Sequence, residues 1–371
     1  MIPAVPLGRR LRCILTTPIR TAAAVPGADA YRKHFPASAH LWFLVWHTLS
    51  ASPSLRQSHA SANADPGFWT QLGLPPTGVS RSQLTRSSTS RPLGCAEMLL
   101  ATLQQQVPAA ARVTPDWGRV QLVDSTFVTL SAQLSPWSQH GRHAPGLRVH
   151  TGVNLATGIP DQLHFTLADT HDIRAFRDRD WTAWRDWTVV IDRGYYGHQG
   201  FAELRAAGVS WLCPLHAQAR VVVTRAQPGP WPAAPTGEQI VADEMITLGS
   251  PNNRGGTVLA AVRLVTSRTA TGAVHQVVTD RLDLGAGEVV ALYHQRWQIE
   301  LFFRWLKHQL GVLLPLGYTR TAVELTILLA AIVALVLVLL SADRPPHLSD
   351  IAWVRQLGQA LFLTLLLRES G

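Results

Sequence analysis

Hydrophobic and polar positions follow two different periods along the chain, and the period changes near residue 119. From about residue 28 to 49 the apolar spacing predicts helix with a break at Pro36, residues 52–68 suggest a loop or short helices, and further helices are expected after Ser80 and from near Ala96. From residue 119 to 215, short apolar runs rich in β-branched residues predict strands, the later ones alternating with helices. The pattern therefore predicts a helical region followed by an α/β sheet with mixed strand directions.

The same reading divides the chain into segments. Residues 1–27 show little pattern, which predicts a poorly ordered N-terminus, and residues 28–117 form the predicted helical region. An α/β domain is expected over 118–345, followed by a short helical tail over 346–371. Within that domain, residues 216–284 hold four β-rich runs separated by Pro, Gly, Asn and Ser clusters, which predict a β-rich insertion.

Two predicted strands end in an acid. The run VQLVD ends at Asp124, with a tight turn expected at Ser125 before a second strand, and the run TVVID ends at Asp192. Ligands of α/β sheets bind at the carboxyl ends of strands, so these acids are candidate ligand-binding residues. The alternative for each Asp taken singly is an acid in an ordinary turn.

A long helix is predicted from Glu288 to Gly311, where glycine would form the C-cap. Its polar face carries Tyr293, Arg296, Glu300, Arg304 and Lys307 at spacings of three or four residues. One carboxylate among cations suits a site for a metal ion and a phosphate chain. A surface helix carrying ion pairs is the competing interpretation.

The run over residues 325–340 is apolar except for Thr326 and falls short of the ~20 residues that usually cross a bilayer. We expect a buried helix at the back of the α/β core, with a membrane span as the alternative.

Composition and charge indicate which class of partner the protein binds. The 371-residue chain is 47% hydrophobic, which indicates a globular protein, and its formal net charge is +9. Such a basic balance favours a polyanionic partner, because neutralising phosphates releases counterions. Lysine occurs only at Lys33 and Lys307, so the ammonium at 307 stands out among arginines.

Cysteine usage and the N-terminus bear on compartment. The three cysteines lie far apart without a CxxC pair, which argues against a zinc ribbon or a disulfide framework and favours a reducing, cytoplasmic compartment. The N-terminal apolar run is too short and too broken for a signal peptide.

A second DNA-contacting feature is predicted in the helical region. Ser80 is placed to cap a short helix that carries Arg81 and Arg86. A turn followed by a Ser/Arg-rich helix suits phosphate or groove contact in the manner of a helix-turn-helix. A plain Ser/Arg-rich linker is the alternative.

Asp124, Asp192 and Glu300 together form a more specific pattern than any one of them. Three carboxylates from two strands and a helix would suit Mg²⁺, which prefers oxygen ligands. A pair of such ions activates a nucleophile and stabilises the leaving oxygen in phosphoryl transfer.

The motifs VDST, VIDRGYYG and YHQRWQIELFFRWLK resemble those of insertion-sequence DDE transposases of the IS-four family. The last motif matches the family's Tyr-Arg-Glu-Lys signature at Tyr293, Arg296, Glu300 and Lys307. The resemblance covers roughly residues 28–341. It implies an RNase H-like catalytic core interrupted by the β-rich insertion and preceded by an α-helical DNA-binding region.

The resemblance also implies roles. Asp124, Asp192 and Glu300 become the catalytic, metal-binding triad for Mg²⁺, with Mn²⁺ as a substitute. Tyr293, Arg296 and Lys307 become contacts to transposon-end DNA. Trp297 is a candidate for stacking on an unpaired base, with a core aromatic as the equal alternative.

The expected activity is metal-dependent cleavage of transposon ends and strand transfer into target DNA. Water and then a 3′-hydroxyl attack the phosphodiesters. The expected partner is double-stranded DNA, comprising inverted-repeat ends and target, bound by a homodimer at the bacterial nucleoid without a membrane. Two alternatives remain: a catalytically inactive, transposase-derived DNA-binding protein, and a membrane protein anchored through residues 325–340.

Overall fold

The computed structural model describes residues 4–30, 34–50, 52, 54–139, 143–161, 163–170, 172–250, 257–309 and 316–366. It divides into two compact units. The helical unit comprises Met1–Pro108, Val128–Leu147 and Phe303–Gly371, and the sheet unit comprises Ala109–Phe127 and Arg148–Phe302. The sequence reading placed one domain over 118–345, whereas contacts group residues 128–147 and 303–345 with the N-terminal helices.

Most of the described helices bury one face and expose the other. They are α1 (Ala4–Ala23), α2 (Ala37–Leu49), α3 (Leu55–Asn63), α4 (Pro66–Gln71), α5 (Arg81–Ser90), α6 (Gly94–Gln104), α7 (Asp172–Arg177), α8 (His198–Ala207), α9 (Ala286–His294), α10 (Trp297–Gln309), α11 (Arg320–Leu339) and α12 (Asp350–Leu366). Local chemistry sets several of their ends. Pro36 precedes α2, and the Ser80 side chain accepts a hydrogen bond from the Gln83 N–H at the start of α5, as the sequence predicted.

The N-terminus differs from the expectation of poor order, because residues 4–23 form α1. Leu7, Leu11, Leu15 and Ile19 recur every four residues and are fully or almost fully buried. This stripe packs against α2, α6 and α12 of the same unit. The four-residue spacing was present in the sequence, but the interspersed arginines and threonines concealed it.

Helix α11 lies in the helical unit, where it packs against α2, α5 and α6. The prediction of a buried helix is therefore right, whereas its expected place at the back of the α/β core is wrong. By length and composition α11 could cross a membrane, but 78% of its most apolar 18-residue window is buried inside the protein. Within the described ranges no second helix meets those criteria.

The described strands form one mixed sheet with the order β3-β2-β1-β4-β5-β9-β8-β7-β6. They are β1 (Arg119–Thr129), β2 (Gly146–Asn154), β3 (His164–Leu167), β4 (Trp187–Ile191), β5 (Ser210–Pro214), β6 (Val221–Ala226), β7 (Gln239–Leu248), β8 (Leu259–Arg268) and β9 (Val274–Thr279). Strands β1, β4 and β5 run parallel, which requires crossover connections between them. Helix α8 lies in the crossover from β4 to β5.

Two predictions made from the sequence for this region are wrong. The predicted turn at Ser125 does not form, since β1 continues through it to Thr129. The helix expected over residues 170–187 is shorter, because α7 ends at Arg177 and a single 3₁₀ turn follows at Thr182–Trp184. Asp186 then adopts a left-handed backbone with φ of 65°, which ends any helical path before β4.

The residues read as a β-rich insertion contain strands β6 to β9. These strands extend the sheet, since β9 pairs antiparallel with β5, and β8, β7 and β6 follow in antiparallel succession. Buried side chains of β7, β8 and β9, such as Ile246, Val262 and Val278, join the core that also holds Val189 and Trp211. The added strands therefore share a hydrophobic core with the first part of the sheet.

Candidate active site

The register of two parallel strands brings Asp124 and Asp192 to equivalent positions. Val123 on β1 pairs with Ile191 on β4, and the residue that follows each of them in the chain is an aspartate. Neighbouring strands lie about 4.8 Å apart, and residues at equivalent register point to the same face. Asp192 directly follows β4 and accepts a hydrogen bond from the Arg193 N–H at 2.6 Å, whereas Asp124 lies within β1.

The long helix predicted over 288–311 is two helices. Helix α9 ends at His294 and α10 begins at Trp297, and Gln295 and Arg296 lie in the turn between them. Hydrogen bonds from residue i to i−3 replace the α-helical bonds here, as from the Arg296 N–H to the Tyr293 carbonyl at 3.0 Å. The predicted stop at Gly311 lies outside the described residues.

The turn places Arg296 between two acids. Its guanidinium Nη1 lies 3.3 Å from Asp124 Oδ2, and its Nη2 lies 2.6 Å from Glu300 Oε1. Arg296 and Asp124 are each 17% exposed in their side chains, so both ion pairs are partly shielded from water. Arg296 therefore links an acid of the sheet to the acid of α10.

Burial dominates the ionisation of Asp124 and raises its pKa from 3.8 to about 6. The Ser125 N–H, which donates to Asp124 Oδ1 at 2.8 Å, and the charge of Arg296 lower that pKa in opposition. The negative charges of Asp192 and Asp172 raise it further. A pKa displaced by burial and by neighbouring acids is typical of a functional carboxylate.

Ser125, the residue after Asp124, belongs to a polar network that the sequence reading missed. The Ser125 hydroxyl donates to Asp172 Oδ1 at 2.7 Å, and Arg148 Nη1 lies 3.2 Å from the same oxygen. Tyr195 is 2% exposed and packs in the core beneath. Asp172 and Arg148 come from α7 and β2, so no local spacing in the sequence could have paired them.

A cavity of about 640 Å³ in the sheet unit is lined by Asp192, Tyr293, Arg296 and Trp297. Burial raises the pKa of Tyr293 to about 12, which keeps its hydroxyl protonated at neutral pH. Trp297 is 51% exposed, which is evidence against the core-aromatic alternative for this residue. Three residues of the predicted DNA-contacting set thus line the same cavity as one of the acids.

The other predicted contacts belong to the helical unit. Lys307 lies on α10, seven residues after Glu300, and burial lowers the pKa of its ammonium. Arg81 and Arg86 are exposed on α5, where they line a cavity of about 790 Å³ together with Arg56. Arg56 was not singled out in the sequence because it lies on another helix, α3.

A further cluster that the sequence reading missed lies beside the break between α9 and α10. His294 Nε2 lies 2.6 Å from Glu238 Oε1, and His275 Nδ1 lies 3.3 Å from the same oxygen. Within the described ranges, this is the group of His, Cys, Asp and Glu side chains whose ligand atoms all lie within 4.8 Å of one another. Asp124, Asp192 and Glu300 are not gathered that closely.

Comparison with known proteins decides the family. Residues 118–336 match the family model described as the transposase DDE domain, a span of more than half of the chain. The chain belongs to the transposase DDE domain family. That match begins one residue before β1 and ends within α11, so it includes Asp124, Asp192 and Glu300.

The curated relatives of this transposase are transposases by name. A Sinorhizobium fredii protein named as transposase y4zB is 26% identical over 75% of this chain and 76% of its own length. The Geobacillus stearothermophilus transposase of insertion sequence element IS5377 is 27% identical over 59% of this chain and 55% of its own length. The Synechocystis transposase of element IS4SA is 22% identical over 77% of this chain and 78% of its own length.

Among solved structures, the piggyBac transposase synaptic complex with hairpin DNA is similar at a TM-score of 0.48 and 8% identity. That alignment covers 99% of this chain and 80% of the other chain.

The family assignment confirms the resemblance read from the sequence motifs. The protein is a DDE-type transposase of an insertion sequence, an enzyme that acts on DNA, and its family depends on divalent metal ions. The mixed α/β architecture predicted from the sequence is also present.

Proposed function

We propose that Asp124, Asp192 and Glu300 are the catalytic triad of this transposase and hold Mg²⁺, with Mn²⁺ as a substitute. The observation that carries the proposal is the paired register of β1 and β4, which aligns two acids on adjacent strands. The ion pairs of Arg296 with Asp124 and Glu300 support membership of the third acid in the same site.

The donor set fits a hard divalent cation. All three candidate ligands are carboxylates, and oxygen ligands are those that Mg²⁺ prefers. Burial is the main cause of the raised pKa of Asp124, and the negative charges of Asp192 and Asp172 raise it further; a bound cation would offset both effects. When bound, such an ion stabilises negative charge on the attacking and leaving oxygens.

We assign the surrounding side chains to the DNA backbone and to an end base. The guanidinium of Arg296 is held by two carboxylates and lines the cavity, so its remaining N–H groups can donate to a phosphate. The protonated hydroxyl of Tyr293 is a further donor there. The exposed indole of Trp297 offers a stacking surface for an unpaired base, and Lys307 stays a predicted phosphate contact.

The helical unit is proposed to bind DNA through α5. Arg81, Arg86 and Arg56 line one cavity at the N-terminal end of that helix, where backbone N–H groups also favour an anion. Phosphates of the transposon end or of the target are the proposed ligands, bound by a homodimer that pairs the two ends at the bacterial nucleoid.

The sheet unit is proposed to be an RNase H-like core. The order β3-β2-β1-β4-β5, with β1, β4 and β5 parallel, supports this assignment, and β6 to β9 extend it. In the proposed reaction, water attacks the terminal phosphodiester, and the 3′-hydroxyl that is released then attacks the target strand.

The experiment uses a plasmid that carries the chromosomal DNA from both sides of the coding region. Asp124→Ala, Asp192→Ala and Glu300→Ala should each abolish Mg²⁺-dependent cleavage while retaining DNA binding in a mobility-shift assay. Asp116→Ala is the control, because this acid precedes β1 and belongs to no predicted set. Cleavage that persists in any of the three triad variants contradicts the assignment.

The same assay separates the second candidate function, a transposase-derived DNA-binding protein without catalysis. That alternative predicts binding without cleavage in the wild-type protein. Arg81→Ala with Arg86→Ala tests the helical unit, since loss of both should weaken DNA binding and flatten its salt dependence. Unchanged binding in this double variant would remove α5 from the interface.

A further inference from the structure

The cluster of Glu238, His275 and His294 has the chemistry of a nitrogen-rich metal site. Glu238 immediately precedes β7, His275 lies on β9, and His294 is the last residue of α9. Two imidazoles and one carboxylate are the protein ligands of several catalytic zinc sites, which leave a fourth position for water. Mg²⁺ instead prefers oxygen ligands, so this cluster is chemically distinct from the three proposed catalytic acids.

We propose that Glu238, His275 and His294 bind a Zn²⁺-type divalent transition-metal ion, which fixes the end of α9 against the sheet. The proposal is independent of the catalytic assignment, because it uses none of the three acids.

The distances fit such an ion. Ligand atoms held at about 2.0–2.1 Å from a tetrahedral zinc lie about 3.3 Å from one another. His275 Nδ1 and Glu238 Oε1 are 3.3 Å apart, and the third ligand atom, His294 Nε2, is 2.6 Å from Glu238 Oε1. The short contact is a hydrogen bond, which the ion replaces once Nε2 of His294 is unprotonated and the neutral imidazole carries its single proton on Nδ1.

The carboxylate is held in place as a metal ligand usually is. Glu238 is 4% exposed, and its other oxygen, Oε2, accepts a hydrogen bond from the Ser267 hydroxyl on β8. Oε1 contacts both histidines, and His275 Nδ1 also lies 3.4 Å from Oε2.

An ion has a route to the cluster. The side chains of His275 and His294 are 48% and 42% exposed, and both line the cavity that also contains Asp192 and Tyr293. His294 is adjacent to Tyr293 and two residues before Arg296. A bound ion would therefore hold the end of α9 and the turn that follows it, which carry Tyr293 and Arg296, two of the proposed DNA contacts.

The test uses the full chain without a histidine tag, stripped with a chelator and kept in millimolar Mg²⁺ to occupy oxygen-ligand sites. Co²⁺ serves as the spectroscopic probe. We expect one Co²⁺ per chain with an intense visible absorption of four- or five-coordinate geometry. Zn²⁺ should displace it and raise the Tm.

Matched variants assign the ligands. His275→Ala and His294→Ala should each weaken binding by more than about 100-fold, and Ser267→Ala by about 10–100-fold as an outer-shell partner. His164→Ala is the control, since this exposed histidine lies on the edge strand β3, and Asp124→Ala should bind Zn²⁺ as the wild type does. Because both histidine side chains are at the surface, their replacement should not unfold the protein, and circular dichroism checks that each variant is folded.

Equal affinity of the wild type and His294→Ala would overturn the proposal, as would a Co²⁺ spectrum that stays weak and octahedral. Loss of Zn²⁺ binding in Asp124→Ala with retention in His294→Ala would place the ion at the acids instead. Neither outcome bears on whether Asp124 is needed for cleavage, so the two proposals fail separately.

Discussion

Replacement of Asp124 by Asn should stabilise the metal-free protein at neutral and alkaline pH while abolishing cleavage. The side chain is 17% exposed, and burial is the main reason that its pKa rises from 3.8 to about 6. A folded-state pKa above the unfolded value means that the protonated acid favours folding. That contribution is full below about pH 3.8 and is lost as the pH rises through about 6.

The magnitude follows from the two pKa values. The difference between 3.8 and about 6 corresponds to about 3 kcal/mol in the free energy of unfolding at pH 8, at 1.36 kcal/mol per pKa unit. Asparagine is the neutral isostere and keeps an oxygen that can accept from the Ser125 N–H. The variant should therefore gain about 3 kcal/mol at pH 8, about 1.6 at pH 5 and about 0.5 at pH 4.

Thermal unfolding in the presence of a chelator measures this effect. A gain of about 3 kcal/mol raises the Tm by about 6–12 °C in a unit of 150–250 residues. Asp283→Asn is the control of opposite sign, because hydrogen bonds from Arg281 lower the pKa of this exposed acid and its replacement should cost a little stability. Added Mg²⁺ should raise the Tm of the wild type more than that of Asp124→Asn.

Two results would refute the reasoning. One is an Asp124→Asn variant no more stable than the wild type at pH 8. The other is a gain that stays the same down to pH 4, which would assign it to packing and not to ionisation.

Three further predictions concern other parts of the molecule. Gly8→Ala should lower the Tm, because a Cβ there would lie 1.7 Å from Thr364 Oγ1, and overpacking costs about 1–3 kcal/mol; an unchanged Tm would contradict the packing of α1 on α12. Trp297→Ala should weaken binding to DNA with an unpaired end base by about 1–3 kcal/mol, while Leu301→Ala, also exposed on α10, should not. Arg296→Gln should move the acid limb of the pH–cleavage profile to higher pH, because the Arg296 charge lowers the pKa of the adjacent aspartate; an unmoved limb would exclude that pairing.

Patterns with a short period determined much of this protein. The β-branched runs that end in Asp124 and Asp192 predicted an α/β sheet with candidate ligand acids, and the resemblance of the motifs around Asp124, Asp192 and Glu300 to a known family predicted a transposase. Ser80 likewise marked the start of α5. Each of these features depends on side chains within a few residues of one another, where helix and strand periods impose direct physical constraints.

The tertiary structure decided which distant residues meet. The pairing of Val123 with Ile191, which aligns the two aspartates, depends on strand register across a crossover. The turn at Arg296 contains neither Gly nor Pro, so no helix-breaking residue in the sequence predicted it. Residues 238, 275 and 294 converge only because β7, β9 and α9 pack together, and such long-range contacts have no periodic signal in the chain.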